Sequence, residues 1–265
     1  MNKRWILSGA VLTAALFLIA SSVPGQTGYK APRTPDGKPN LNGIYQAMNT
    51  AYWDVEAHPA APGPMWELGA QFAVPAGLGI VEGGAIPYKP EALAKKKENF
   101  ANRMKLDPEI KCYLPGVPRA MYMPYPLQII QNPKWIMIIH EYAGAVRTIY
   151  MDNHTEAPAD SWMGWSNGKW EGETLVVDTT GYLDSTWFDR AGNHHSDALH
   201  TIERVRWKSP TALSYSITID DPKIFTKPWS QEFEIIAKPE WEKDGLFEYV
   251  CQENNRCPGG KCGSN

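Results

Sequence analysis

The sequence has little charge of either sign and no extended basic stretch. Its 265 residues carry 26 Lys and Arg against 29 Asp and Glu, which gives a net charge of −3 and a pI of about 6.1. A nucleic-acid partner requires a basic surface, so none is expected here. The chain also lacks a phosphate-binding loop, a dinucleotide fingerprint and a nucleophile elbow. We therefore expect no redox chemistry with a nucleotide and no cofactor.

Cysteine and histidine are also scarce, with four and six residues. No C-x-x-C pair occurs, so the usual signature of structural zinc is missing. Three histidines, His194, His195 and His200, do lie within seven residues. Adjacent imidazoles do not easily reach one ion, and on a strand His200 and Glu203 point to opposite faces. We predict no metal site.

Only the N-terminus carries a long apolar run. Residues 1–26 have the anatomy of a secretory signal peptide, with Lys3 and Arg4 before an apolar run over 5–20. That run is shorter than the ~20 residues that span a bilayer, which favours cleavage over an uncleaved anchor. We predict a mature chain that begins between about residues 21 and 28. It is expected to be periplasmic or secreted and to have no membrane partner.

The four cysteines are expected to pair in that oxidising compartment. They allow three pairings. Cys257 and Cys262 flank a tight Pro/Gly loop, so a local bridge closes easily there. That leaves Cys112 with Cys251, a bridge between an early segment and the end of the chain.

The chain after the signal peptide is predicted to be one β-rich domain over 27–265. A Pro/Gly-rich segment that wraps the core, followed by a helix, occupies 27–110; the β core follows over 111–254 and a cysteine-containing tail over 255–265. The helix begins at Pro90, which suits a first turn, and Leu93, Phe100 and Met104 form its apolar stripe. Its three consecutive lysines are interpreted as a solvated face.

Short strand-like segments dominate from about residue 127. They cover 135–142, 146–152, 168–182 with a turn at Glu171-Gly172, 199–207, 213–220, 231–237 and 246–252. Short connections favour antiparallel neighbours. We therefore predict a mainly β fold, an antiparallel meander closed into a lipocalin-like barrel or a sandwich.

Three stretches resemble one protein family. They are TPDGKPNLNGIY at 34–45, Cys112 with PGVPR at 115–119, and WMGWSNGKWEGETLVVDT at 162–179. They are similar to exported bacterial proteins with the motif W-M-G-x-S-x-G-x-W-E-G-[DE]-T-L-V-V-D-T. The resemblance runs over about residues 30–255 and implies export and a single domain, but no established activity. The family pattern has a histidine before the motif serine where this chain has Trp165, so chemistry through that histidine is not expected.

Glu203 is the leading catalytic candidate. On the strand reading it shares a mostly apolar, inward face with Leu199, Val205 and Trp207, and burial there raises a carboxyl pKa. His195 lies in the adjacent loop, and a carboxyl and an imidazole together suit proton transfer. The structural alternative, that Glu203 pairs with a buried arginine such as Arg147, stays open. His200 and Asp178 are further catalytic candidates.

A small-molecule pocket would have aromatic walls, and the eleven tryptophans supply candidates for them as well as for the core. The candidate ligand-binding residues are Trp162, Trp165, Trp170, Trp187, Arg147, Tyr150 and His154. The leading hypothesis is an exported lyase, hydratase, isomerase or cyclase that acts on a partly apolar or aromatic ligand. A non-catalytic, lipocalin-like binding protein is the alternative, and a structural envelope protein is the third. The sequence indicates no particular oligomeric state.

Overall fold

Nine strands form a closed barrel in the computed structural model, which describes residues 29–64, 73–249 and 251. The strands are β1 Gly43–Ala47, β2 Leu127–Gln131, β3 Trp135–His140, β4 Val146–Tyr150, β5 Trp165–Glu171, β6 Thr174–Thr180, β7 His200–Ser209, β8 Ala212–Asp220 and β9 Trp229–Ala237. The predicted mainly β class is confirmed, and the closed barrel is consistent with a lipocalin-like architecture.

Each strand pairs with the next one along the chain, and β1 closes the ring against β9. All pairs are antiparallel except β4 with β5, which run parallel through Ile149 opposite Ser166 and Tyr150 opposite Asn167. The purely antiparallel meander is wrong at this one joint. Residues 151–164 carry the chain back along the barrel before β5 begins, so the two strands start at the same end.

Strand β7 shows how the sequence pattern positions side chains. Thr201, Glu203 and Val205 are buried and face the barrel interior, whereas Arg204 and Arg206 are exposed. This two-residue period is the one predicted for a strand with one buried face. The inward position of Glu203 is therefore confirmed.

Three helices lie between β1 and β2 in the chain: α1 Pro90–Ala101, α2 Arg103–Leu106 and α3 Arg119–Tyr122. The predicted helix start at Pro90 is confirmed, but its predicted apolar stripe is wrong. Leu93 and Phe100 are exposed, and α1 packs through Ala92 and Asn99 instead. Asn99 donates to the carbonyl of Gly192 at 3.2 Å. A Cβ at Gly192 would come within 2.8 Å of α1, so only glycine permits this contact.

Helix α3 closes one end of the barrel interior. All four of its residues are buried, and Tyr122 packs edge-on against Phe233 of β9 at 5.6 Å. Arg119 forms ion pairs with Asp107 at 2.7 Å and Glu109 at 2.6 Å. These buried ion pairs hold α3 against the segment that follows α2.

Other segments depart from the sequence-based expectations. β1 lies within the N-terminal segment, where no strand was predicted, and Leu246–Tyr249 form no strand although one was predicted at 246–252. The predicted Cys112–Cys251 disulfide is confirmed, with 5.7 Å between the two Cα atoms. The predicted signal peptide and the Cys257–Cys262 pair lie outside the described residues. No helix in the described ranges is long and apolar enough to cross a membrane.

Candidate active site

Glu203 forms an ion pair with Arg147 inside the barrel. The Arg147 Nη1 donates to Glu203 Oε2 at 2.8 Å, its Nη2 donates to Oε1, and the Tyr215 hydroxyl donates to Oε2 at 2.9 Å. Both side chains are at most 2% exposed. Burial alone would lower the pKa of Arg147, but the Glu203 carboxylate raises it. The structural alternative for Glu203, pairing with Arg147, is the arrangement that the structure shows.

Arg147 also donates hydrogen bonds to two buried hydroxyl groups. Its Nε donates to Ser166 Oγ at 2.9 Å and its Nη2 donates to Thr179 Oγ1 at 2.9 Å. The two hydroxyls are 3.1 Å apart and bond to each other. Each nitrogen of the guanidinium and each oxygen of the carboxylate therefore has a protein partner, and the ion pair belongs to a buried hydrogen-bond network.

The cavity beside Glu203 is too small for a ligand. Its volume is about 10 Å³, room for about one water molecule. Its other lining residues are all apolar and include Met121 from α3. A buried water needs two to four polar partners, and Glu203 is the only polar side chain in the lining. This part of the barrel interior is therefore packed core.

The structure does not bring His195 to Glu203. Its Nδ1 donates to the Ser196 carbonyl at 2.8 Å, so its Nε2 accepts from the Thr186 hydroxyl at 2.5 Å. The ring is 3% exposed and packs 5.3 Å from Phe188. Burial lowers the pKa of His195. Across the described residues, no hydrogen bond or ion pair joins it to Glu203.

The other predicted site residues are spread over separate parts of the molecule. His200 pairs with Asp178 at 3.0 Å on the outer surface. The aromatic candidates stand apart: Trp162 lies 5.1 Å from Tyr113, Trp165 stacks on Tyr150 at 4.5 Å, Trp170 packs on the core, and Trp187 pairs through its backbone with His194. His154 Nε2 bonds to the Gly168 carbonyl at 2.9 Å. No group of three or more metal-ligating side chains occurs within the described ranges.

A second group of titratable residues surrounds the turn at residues 189–193, and we call it the rim cluster. Its members are Asp54, Glu56, Tyr88, Lys96, Asp189 and Asn193. Asp189 is fully buried. Its Oδ1 accepts from the backbone of Ala191 and Asn193, and its Oδ2 accepts from the Val55 N–H at 2.9 Å and from the Asn193 amide at 2.6 Å. Asp189 therefore stabilises its own turn and ties that turn to the N-terminal segment.

The Asn193 amide links Asp189 to a second carboxyl. Its Nδ2 also lies 3.4 Å from Asp54 Oδ1, and Asp54 is half-buried. Burial and the neighbouring charge of Asp54 raise the pKa of Asp189 to about 7. Burial also raises the pKa of Asp54, against the lowering charges of Lys96 and His58. The two carboxyls thus disfavour each other's ionisation, so their protons are coupled.

Polar partners on three sides hold this pair in place. The Tyr88 hydroxyl donates to Asn193 Oδ1 at 3.0 Å and accepts from the His194 N–H at 3.3 Å. The rings of Tyr88 and His194 stack at 5.8 Å, and burial lowers the pKa of His194 to about 4. Lys96 of α1 pairs with Glu56 at 3.3 Å, and both remain partly open to solvent. The rim cluster therefore combines a carboxyl pair, a cation and the aromatic ring of Tyr88.

Sequence reasoning missed the rim cluster because its members are far apart in the chain. The turn residues Asp189, Gly192 and Asn193 are recognisable locally. Their partners come from an irregular segment around Asp54, from Tyr88 two residues before α1, and from α1 itself. No period or spacing in the sequence links these segments.

Comparisons with known proteins bring no relative to bear on the site. The chain matches no protein-family model, no curated protein and no solved structure.

Proposed function

We propose that the chain is an exported acid–base enzyme that acts on a small, partly apolar molecule without a redox cofactor, with Asp54 as its general base. The observation that carries the proposal is the link from buried Asp189 through the Asn193 amide to half-buried Asp54. It replaces Glu203 and His195 as the proton-transfer pair, because Glu203 is fully engaged inside the barrel and His195 is held by Thr186.

The carboxyl pair suits proton transfer near neutrality. A general acid or base works best when its pKa is near the working pH. Two coupled carboxyls achieve this because ionisation of one raises the pKa of the other. Asp54 is the more exposed of the two, so we assign it as the catalytic residue. Asp189 is a positioning residue, since it acts on the substrate only through Asp54 and Asn193.

The nearby Lys96 suggests the charge that develops on the substrate. A carbonyl compound with an acidic C–H bond fits: Asp54 takes the proton, the C–H electron pair forms a C=C bond, and the carbonyl π electrons move to oxygen. The resulting enolate oxygen is stabilised by the ammonium of Lys96. Return of the proton at another atom, or loss of a leaving group, gives isomerase or lyase chemistry from the same intermediate.

Export rests on two observations. The Cys112–Cys251 bond forms in oxidising compartments, and residues 1–26 have the composition of a signal peptide. The proposed enzyme therefore works in the periplasm or outside the cell, where its substrate must also be present.

Deuterium exchange tests the proton-transfer step without knowledge of the product. The protein is incubated in heavy water with cyclohexanone, 4-hydroxy-2-butanone or phenylacetone, and loss of the α-proton signal is followed by proton NMR. We expect at least one probe to exchange faster than in buffer alone. Asp54→Asn should slow that exchange by roughly 10²–10⁴-fold. The exposed Asp36 offers a matched control, and Asp36→Asn should exchange like the parent.

The outcomes separate the hypotheses. Equal exchange by the parent and Asp54→Asn would show that Asp54 is not the base. Exchange no faster than in buffer for all three probes overturns the carbon-acid enzyme. If those probes nevertheless quench tryptophan fluorescence with saturation, the non-catalytic binding protein takes its place.

A further inference from the structure

Large apolar side chains are exposed along the segment from α1 to the disulfide. They are Leu93, Phe100, Leu106, Ile110 and Tyr113, each between 36% and 48% exposed. These five are half of the ten large hydrophobic residues exposed in the described ranges, yet they fall within 21 residues. Leu93 and Phe100 belong to α1, Leu106 ends α2, and Ile110 and Tyr113 lie in the irregular segment around Cys112. We call this surface the basic patch, for the charges described next.

Cations dominate the charge of the same segment. Residues 93–113 contain six Lys and Arg against three acidic residues. Each acid already has a partner: Asp107 and Glu109 bind Arg119 inside the protein, and Glu98 pairs with Lys95 of the same segment. Lys97, Lys105 and Lys111 are exposed and form no ion pair with any described residue. The patch is therefore positive on a chain whose net charge is −3.

The long cationic side chains lie beside the apolar ones. The Arg103 guanidinium lies 4.2 Å from the centre of the Phe100 ring, and Lys111 Nζ lies 6.0 Å from that of Tyr113. Such side chains can rest their carbon stems on an apolar surface while the charges reach outward to anions. Isolated exposed hydrophobic residues are common, but five within 21 residues, with cations beside them, indicate an interaction surface.

We propose that the basic patch binds the surface of a membrane that contains anionic phospholipids, although the sequence alone predicts no membrane partner for the mature chain. Apolar side chains flanked by Lys and Arg are the composition of segments that lie in a bilayer interface. The occupant is argued from charge complementarity: the unpaired lysines match anionic headgroups, and the apolar side chains match the acyl boundary below them. The binding is reversible and peripheral, and it does not depend on the proposed acid–base function.

Vesicle sedimentation tests this surface with the full mature chain. We expect binding to vesicles of phosphatidylcholine mixed with phosphatidylglycerol, weakened by salt, and little binding to phosphatidylcholine alone. The triple variant Lys97→Gln, Lys105→Gln, Lys111→Gln should lower the partition coefficient by about 100-fold, since each lysine near an anionic surface contributes about fivefold. Its matched control replaces three exposed lysines elsewhere: Lys38→Gln, Lys134→Gln, Lys227→Gln.

A second pair of variants tests the apolar contribution. Phe100→Ser should weaken binding by about tenfold, because part of an aromatic ring no longer leaves water. Leu78→Ser, at a residue that is 98% exposed on the N-terminal segment, should have no effect. The proposal is overturned if the two triple variants lose binding equally, or if the parent ignores anionic vesicles. A dimer in light scattering that Phe100→Ser dissociates would assign the patch to a second copy of the chain instead.

Discussion

Breaking the Arg147–Glu203 pair should destabilise the fold far more than any surface change. Glu203→Gln keeps the size of the side chain but leaves the Arg147 cation, which is almost fully buried, without its counter-ion. Removing one member of a buried ion pair typically costs about 3–5 kcal/mol. Arg147→Met should cost a similar amount, since it strands the Glu203 carboxylate and frees the Ser166 and Thr179 hydroxyls from their donor.

The double variant Arg147→Met, Glu203→Leu separates charge from packing. Replacing both charges with apolar groups is often neutral or stabilising in other proteins. Here the Tyr215 hydroxyl loses its acceptor, which costs roughly 1–3 kcal/mol if the group is left unsatisfied. We therefore expect the double variant to be less stable than the parent but at least about 2 kcal/mol more stable than either single variant.

Urea unfolding with the disulfide intact gives the free energies for a double-mutant cycle. A matched cycle on the exposed pair Arg33–Glu173, whose atoms lie 2.8 Å apart, should give a coupling energy below about 1 kcal/mol. The reasoning fails if the interior pair couples as weakly as the surface pair. It also fails if Glu203→Gln unfolds within about 1 kcal/mol of the parent, because the cation would then have to be hydrated or re-paired.

Three further predictions concern protonation and covalent structure. Burial raises the pKa of Asp189 to about 7 in the folded state, against about 3.9 in the unfolded state. Between these two pH values the folded state binds more protons than the unfolded state. The contribution of Asp189 to the free energy of unfolding is therefore lost as pH rises from about 4 to 7. Asp54→Asn removes the second cause of that shift, so carboxyl-carbon NMR should find Asp189 titrating at lower pH. Burial lowers the pKa of His140 to about 3 in the folded state, so its contribution to stability is lost as pH falls below about 6.5. In urea unfolding at a series of pH values, His140→Phe should therefore lose less stability below about pH 6.5 than the parent does. Reducing the Cys112–Cys251 bond, which spans 139 residues, should lower the free energy of unfolding by about 2–5 kcal/mol. Non-reducing peptide mapping should find Cys257 bonded to Cys262. The intact mass of the exported chain should lack about the first 20 to 27 residues.

The parts of the fold that the sequence predicts are those governed by local periods. The alternation of apolar and polar residues around Glu203 predicts both the strand and its inward face, because a sheet with one buried and one solvent-exposed face has this two-residue period. Pro90 marks the start of α1 for an equally local reason. β1 escaped prediction because Gly43–Ala47 is short and stands among prolines and glycines. Its pairing with β2 and β9 comes from tertiary structure alone.

The candidate site depends more heavily on long-range contacts. The stripe of Leu93 and Phe100 was expected to pack on the core, but the absence of a side chain at Gly192 lets Asn99 approach instead. Nothing near residue 192 in the sequence identifies α1 as its neighbour. The link between Asp54 and Asp189 likewise spans 135 positions, and it depends on one asparagine placed between two turns.

The parallel joint between β4 and β5 is where the barrel should open first. Its register extends over two residue pairs, whereas β7 and β8 pair along most of their length. Arg147 stands on one side of the joint and reaches across it to Ser166, Thr179 and Glu203, which belong to the three strands on the other side. The interior ion pair and its hydrogen bonds therefore hold β4 to β5, β6 and β7 across the barrel's shortest strand pairing. Among the barrel strands, amide protons of β4 and the start of β5 should exchange with solvent earliest. Loss of Arg147 should extend this local opening until β4 and β5 separate.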